Sequence, residues 1–167
     1  ASWCGTMSFD TAGRTMMGVT SADMVKFIDG LDYQPLGFGA NCGTGASDLL
    51  RTVLGFVEAG AKLPIIAKGN AGIPKYVHGH IHYDGTPELM ADYAVLARNC
   101  GARIIGGCCG TAPEHLMKMR EALDTQPISD KPSLEEIVVK LGDFSSANDG
   151  TGDNVAKRRG TRRRGGR

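Results

Sequence analysis

The chain holds 167 residues, 41% of them hydrophobic, enough for one ordinary domain with a packed core and too apolar for a disordered polypeptide. The formal net charge of +1 hides an asymmetry: Lys157 to Arg167 carries seven basic residues and no acidic one, and removing these from the 19 Lys and Arg leaves 12 against 18 Asp and Glu, a net charge of −6. No apolar run approaches a membrane span, and no basic segment followed by an apolar stretch opens the chain as a secretory leader would.

Four strand-then-helix units can be read in order. The first strand is expected over Trp3 to Phe9, directly after Ala1, which suggests a chain that begins inside a longer protein. Its helix follows in "TSADMVKFIDGL", with Thr20 as cap and Asp23 reaching back three residues later. The second strand is expected over Pro35 to Gly39, and "ASDLLRTVLGFVEAG" then sets Leu49, Val53, Phe56 and Val57 on one helix face. The third strand is Pro64 to Lys68, followed by a helix with Thr86 as cap, Pro87 in its first turn and Gly101 as its stop. The fourth is Ala102 to Gly106, with Thr111 capping the next helix and Glu114 completing a capping box.

The strands are short and apolar rather than alternating, the pattern of parallel strands buried on both faces. Repeated β-α units therefore predict a parallel sheet or a (β/α)8 barrel, here only half of one, the rest lying before Ala1. Residues 1–126 are read as this unit. Residues 127–144 form a short helical extension with Ser133 as cap, and 145–167 a disordered Arg-rich tail.

Five cysteines, an odd number, argue against a secreted disulfide framework and for a reducing cytoplasm. Adjacent Cys108 and Cys109 in "RIIGGCCGTAPEH" are too close in sequence for a relaxed mutual disulfide, but both can ligate one metal ion. Cys42 in "GFGANCG" stands just past the second strand, as the pair stands past the fourth, so in a barrel all three reach the same rim. Three thiolates leave one tetrahedral position open, as in catalytic rather than structural zinc sites. With Zn²⁺ they carry a formal charge of −1, and a thiol entering the open position would lose its proton. Buried packing is the plainer reading of the three cysteines, but their placement after two different strands weighs against it.

These motifs together resemble the homocysteine S-methyltransferase family from Met7 to about Leu123. "MSFDTAGRTMMGVT" is similar to that family's fifth strand and following loop, and "KGNAGIP" to the region after its seventh. The resemblance implies a (β/α)8 barrel of which this chain holds strands five to eight. It implies Zn²⁺ on Cys42, Cys108 and Cys109, and transfer of a methyl group to the thiol of homocysteine, giving methionine. Betaine or S-methylmethionine is the favoured donor, because no folate, cobalamin or activation module follows Leu123. Residues that grip the amino-acid end of homocysteine are expected upstream of Ala1, and the chain can be inactive without them. Other readings stay open: the homocysteine module of a cobalamin-dependent methionine synthase, a different thiol-alkylating barrel, or a non-catalytic zinc-containing module that binds through its Arg-rich tail. Small-molecule substrates are the expected partners, membranes and nucleic acid are not, and a homo-oligomer is compatible with the sequence.

Other candidates are weaker. Cys4 and Cys100 read as packing residues. His78, His80 and His82 in "HGHIH" read as a solvated or pocket-lining loop in preference to a second metal site. Asn70, after the third strand, can hydrogen-bond near the metal or simply shape a turn. The glycine-rich "GFGANCGTG" and "KGNAG" lack the lysine and hydroxyl pair of a phosphate loop. The tail's arginines lack interleaved aromatics for base stacking.

Overall fold

A computed structural model describes residues 1–10, 12–72 and 74–147. Four parallel strands form the main sheet in the order β1 (Cys4–Met7), β2 (Gly37–Cys42), β3 (Ile65–Gly69), β6 (Ala102–Gly107). The connections carry α1 (Ser21–Asp29), α2 (Ala46–Glu58) and α3 (Pro87–Cys100); α4 (Pro113–Thr125) and α5 (Leu134–Leu141) follow β6. No helix among the described residues is long and apolar enough to cross a membrane.

The strands differ from expectation at their ends. β1 stops at Met7 rather than Phe9, because only Cys4 to Met7 face β2. Phe9 turns into the core instead, edge-on to Phe56 at 5.5 Å, and Phe38 meets Phe56 at 5.4 Å. β2 starts two residues later than expected and runs three further, because its pairing with β3 continues through Asn41 and Lys68 to Cys42 and Gly69. Cys42 is thus the last residue of a strand rather than the first beyond it.

The helices bury the expected stripes with one exception. Leu49, Leu50, Val53, Leu54 and Phe56 of α2 are buried, but Val57 is 39% exposed, since it lies in the last turn beside Gly101. Three caps form as read. The Thr20 hydroxyl accepts from Asp23 N at 3.1 Å while Thr20 N donates to Asp23 Oδ2 at 2.9 Å. Thr86 accepts from Leu89 N and Ser133 from Glu136 N. The fourth does not: α4 is capped by Ala112, with Pro113 in its first turn. His115, rather than Glu114, reaches back, its Nδ1 accepting from Ala112 N at 3.0 Å. Thr111 folds toward Gly107 instead, and its buried hydroxyl finds no partner among the described residues.

The segment "HGHIH", expected as a loop, belongs to an antiparallel hairpin of β4 (Pro74–Val77) and β5 (His80–Tyr83). His78 and Gly79 form its two-residue turn with φ of +48° and +86°, the left-handed pair that matches strand twist in tight hairpins. The C-terminal extension closes the core, with Ile137 and Leu141 of α5 buried. Beyond it, Ser145 N donates to Asp48 Oδ2 at 3.0 Å, and Arg51 Nη1 to Ser146 O at 2.9 Å. The rest of the expected tail, from 148 onward, lies outside the described residues.

Candidate metal centre

Two strand ends deliver the three thiols. Cys42 closes β2 with φ +53°, followed by Gly43 at +79°. A non-glycine residue in the left-handed region costs about 1 kcal/mol and is a mark of functional sites. On the other side, Cys108 N donates to Gly69 O at 2.7 Å, which carries the chain past β6 along the end of β3. The turn after Cys109 needs Gly110, both for its φ of +76° and because a Cβ there would strike the ring of Tyr83.

The sulfurs converge from positions 66 and 67 residues apart. Cys42 Sγ lies 2.6 Å from Cys108 Sγ and 3.7 Å from Cys109 Sγ, and the adjacent pair is 4.0 Å apart. All three ligand atoms lie within 4.8 Å of one another. Thiolates at ~2.3 Å from a tetrahedral zinc ion stand roughly 3.8 Å apart. Two of the three separations match that edge, and Cys42 and Cys108 would part by about 1 Å to admit the ion. Soft sulfur donors of this number suit zinc, so the residues present can hold a metal ion. Among the described residues this is the only grouping of three or more metal-capable side chains.

Asn70 joins the two halves of the site. It is 3% exposed; its Oδ1 accepts from Cys109 N at 3.2 Å and its Nδ2 donates to Gly43 O at 3.1 Å. Ala71 N donates to Cys109 O at 3.0 Å. One loop after β3 therefore sets the spacing of both cysteine turns. Beneath it, the hydroxyl of fully buried Tyr93 accepts from Gly69 N at 2.9 Å. Burial pushes the Tyr93 phenol far above its ordinary range.

Two contributors carry no signal in the cysteine motifs. His115, buried, donates from Nε2 to Gly85 O at 2.9 Å while its Nδ1 accepts at the start of α4, which fixes the neutral Nε2–H tautomer. Tyr83, half-buried at the foot of the hairpin, sets its ring against Gly110, beside Cys109. Desolvation, then the neighbouring Cys109 side chain, holds its phenol above the usual range. Nothing in "HGHIHY" announces that its last residue lies against the cysteine turn at Gly110.

The remaining candidates stand apart. Cys4 is exposed rather than packed, because β1 is a sheet edge. Cys100 is buried, and burial pushes its thiol up to about 12. His78, His80 and His82 are exposed on the hairpin.

A parallel α/β sheet with a three-thiol cluster at its strand ends defines a candidate metal centre. The chain belongs to the homocysteine S-methyltransferase family, whose sequence profile matches residues 1–123. In fold it is similar to the homocysteine methyltransferase MmuM from Escherichia coli, solved in an oxidized form, with a TM-score of 0.53 and 23% identity. That match covers 71% of this chain and 35% of the other, so the chain spans about a third of that structure's length.

Proposed function

We propose that this chain supplies the metal-binding half of a (β/α)8 barrel that transfers a methyl group from a small donor to the thiol of homocysteine, giving methionine. The convergence of Cys42, Cys108 and Cys109 carries this reading. Membership of the family supports the reaction class. The half-barrel reading draws on the outer edges of β1 and β6, which pair with no other strand among the described residues. Exposed Phe27 on α1, and Leu116 with Met117 on α4, suit helices packed against both flanks.

In this reading Cys42, Cys108 and Cys109 hold Zn²⁺, and Asn70 fixes the distance between their turns. Bound there, zinc supplies a Lewis acid that favours the deprotonated thiol of homocysteine. The substrate sulfur forms a bond to the donor's methyl carbon as that carbon's bond to nitrogen or sulfur breaks, and the thiol proton passes to water. No side chain need act as general base. The protein's contribution is alignment and exclusion of water, worth several powers of ten in rate. Three thiolates and one divalent ion leave a net −1, which favours a donor whose methyl group sits on a cationic nitrogen or sulfur, as in betaine or S-methylmethionine.

The test is a donor screen. Zinc-loaded chain, alone and with the complementary barrel half, is incubated with homocysteine and either betaine, S-methylmethionine or methylcobalamin. Methionine formed from a cationic donor, and lost in Cys108→Ser, is the expected result. Methionine formed with methylcobalamin alone would favour the cobalamin-dependent module, and none with any donor would refute the proposal.

A further inference from the structure

The geometry points to Lys68 as the seat for the carboxylate of the thiol substrate, on the open face of the sheet beside the metal centre. The inference rests on the methyl-transfer reading above and deepens it. It adds a contact to the amino-acid end of homocysteine from within this chain, where the sequence placed such residues upstream of Ala1.

Strand alternation sets the direction of this side chain. Phe38 and Ala40 of β2, and Ile65 and Ala67 of β3, pack with the helices in the core. Gly69 faces the same way, because a Cβ there would meet the ring of Tyr93 on α3. Lys68, between Ala67 and Gly69, therefore projects from the opposite face. Its strand partners are Asn41 on β2 and Gly106 on β6. A Cβ at Gly106 would lie 3.8 Å from Lys68 Cγ, so the lysine stem leans over β6, two residues before Cys108. Gly106 itself presents no side chain, which leaves room there for a ligand.

Lys68 stands one residue short of the level where Cys42 closes β2 opposite Gly69, a rise of about 3.3 Å. Its four-carbon stem is longer than that rise, so the ammonium can stand level with the sulfurs. The side chain is partly buried, yet no hydrogen bond or ion pair engages its ammonium among the described residues. By contrast Lys62, Lys75, Lys118, Lys131 and Lys140 each pair with a carboxylate.

Charge supplies the need for such a cation. A substrate thiolate adds a second negative charge to the net −1 of the loaded site, and the carboxylate of the same molecule adds a third. A nearby ammonium offsets that repulsion and makes a charge-assisted hydrogen bond to the carboxylate. The thiol substrate is the favoured source, because the bond that holds its sulfur on the metal also tethers its carboxylate nearby. A donor's carboxylate has no such tether.

The test uses the full chain loaded with cobalt, and reads thiol binding from the change in the sulfur-to-cobalt charge-transfer band. The probes are homocysteine, 4-mercaptobutanoate, which keeps the carboxylate without the amine, and 1-propanethiol, which has neither. Lys68→Met is expected to weaken homocysteine and 4-mercaptobutanoate about tenfold and to leave 1-propanethiol unchanged. Lys68→Arg should retain most of the native preference. Should Lys68→Met fold poorly, Lys68→Gln removes the same charge with a polar stem and should give the same selective loss. Equal effects on all three thiols, or none on any, would overturn the inference and leave the functional reading intact. Betaine that displaces 4-mercaptobutanoate but not 1-propanethiol from the native chain would give the seat to the donor and overturn the assignment to the thiol substrate. A native chain whose band responds to no thiol would overturn both the inference and the functional reading.

Discussion

Asn70→Ala removes one side chain and loosens both cysteine turns. The native amide makes two hydrogen bonds from a site 3% exposed, one to Gly43 O and one from Cys109 N. Its loss forfeits about 1 kcal/mol per bond and leaves two backbone groups short of partners, for a total of roughly 2–4 kcal/mol. In a chain of this size that lowers Tm by about 5–12 °C. Metal affinity should fall by about 10–100-fold, because the amide fixes the spacing between sulfurs from two strands. Thermal unfolding of the metal-free chain reads the first effect, and zinc competition against a chelator reads the second. A metal-free Tm lowered as expected with zinc affinity unchanged would show that Asn70 supports the fold alone. Native values in both would refute the bridging argument altogether.

Three further outcomes follow from packing and charge. Tyr93→Phe strips Gly69 N of its acceptor beneath the cysteine turn and should cost about 1–3 kcal/mol in urea unfolding. Asp48→Ala breaks a buried pair with Arg51 and also the bonds from Thr44 and Ser145. It should cost about 3 kcal/mol and open the chain to limited proteolysis near Gly142 to Ser146. Cys100 has its thiol raised by burial from an ordinary value near 9 to about 12. The raised value means the stability it contributes is whole below pH 9 and drains as pH climbs toward 12, by about 1.4 kcal/mol per unit. Urea midpoints at pH 8 and 11 should diverge less in Cys100→Ala than in the native chain.

Much of the scaffold is legible from local chemistry. Thr20, Thr86 and Ser133 cap helices because a short hydroxyl before an amphipathic run satisfies free N–H groups in any context. Thr111 reads the same way and does not cap. Pro113 starts the helix one residue later, and the Thr111 side chain turns toward Gly107 instead. Strand ends differ from the sequence expectation because pairing with a neighbour sets them: Cys42 belongs to β2 only because Gly69 lies opposite. The hairpin was hidden because His78 takes the left-handed turn position that Asn or Asp would announce. Cys4 lies in an apolar run, yet it is exposed, since nothing local reveals which strand will be an edge. The convergence of Cys42 on Cys108 and Cys109 was legible, because glycine turns after two parallel strands point the same way. The role of His115 was not, because Gly85 and Ala112, which it joins, lie across loops with no shared periodicity.

Zinc stoichiometry in cysteine variants tests the central claim most directly. Elemental analysis of the purified chain should give one zinc per chain, with Cys4→Ser unchanged and Cys42→Ser, Cys108→Ser and Cys109→Ser each depleted. Zinc retained in full by Cys42→Ser would contradict the account, because the metal would then not bridge the two strand ends.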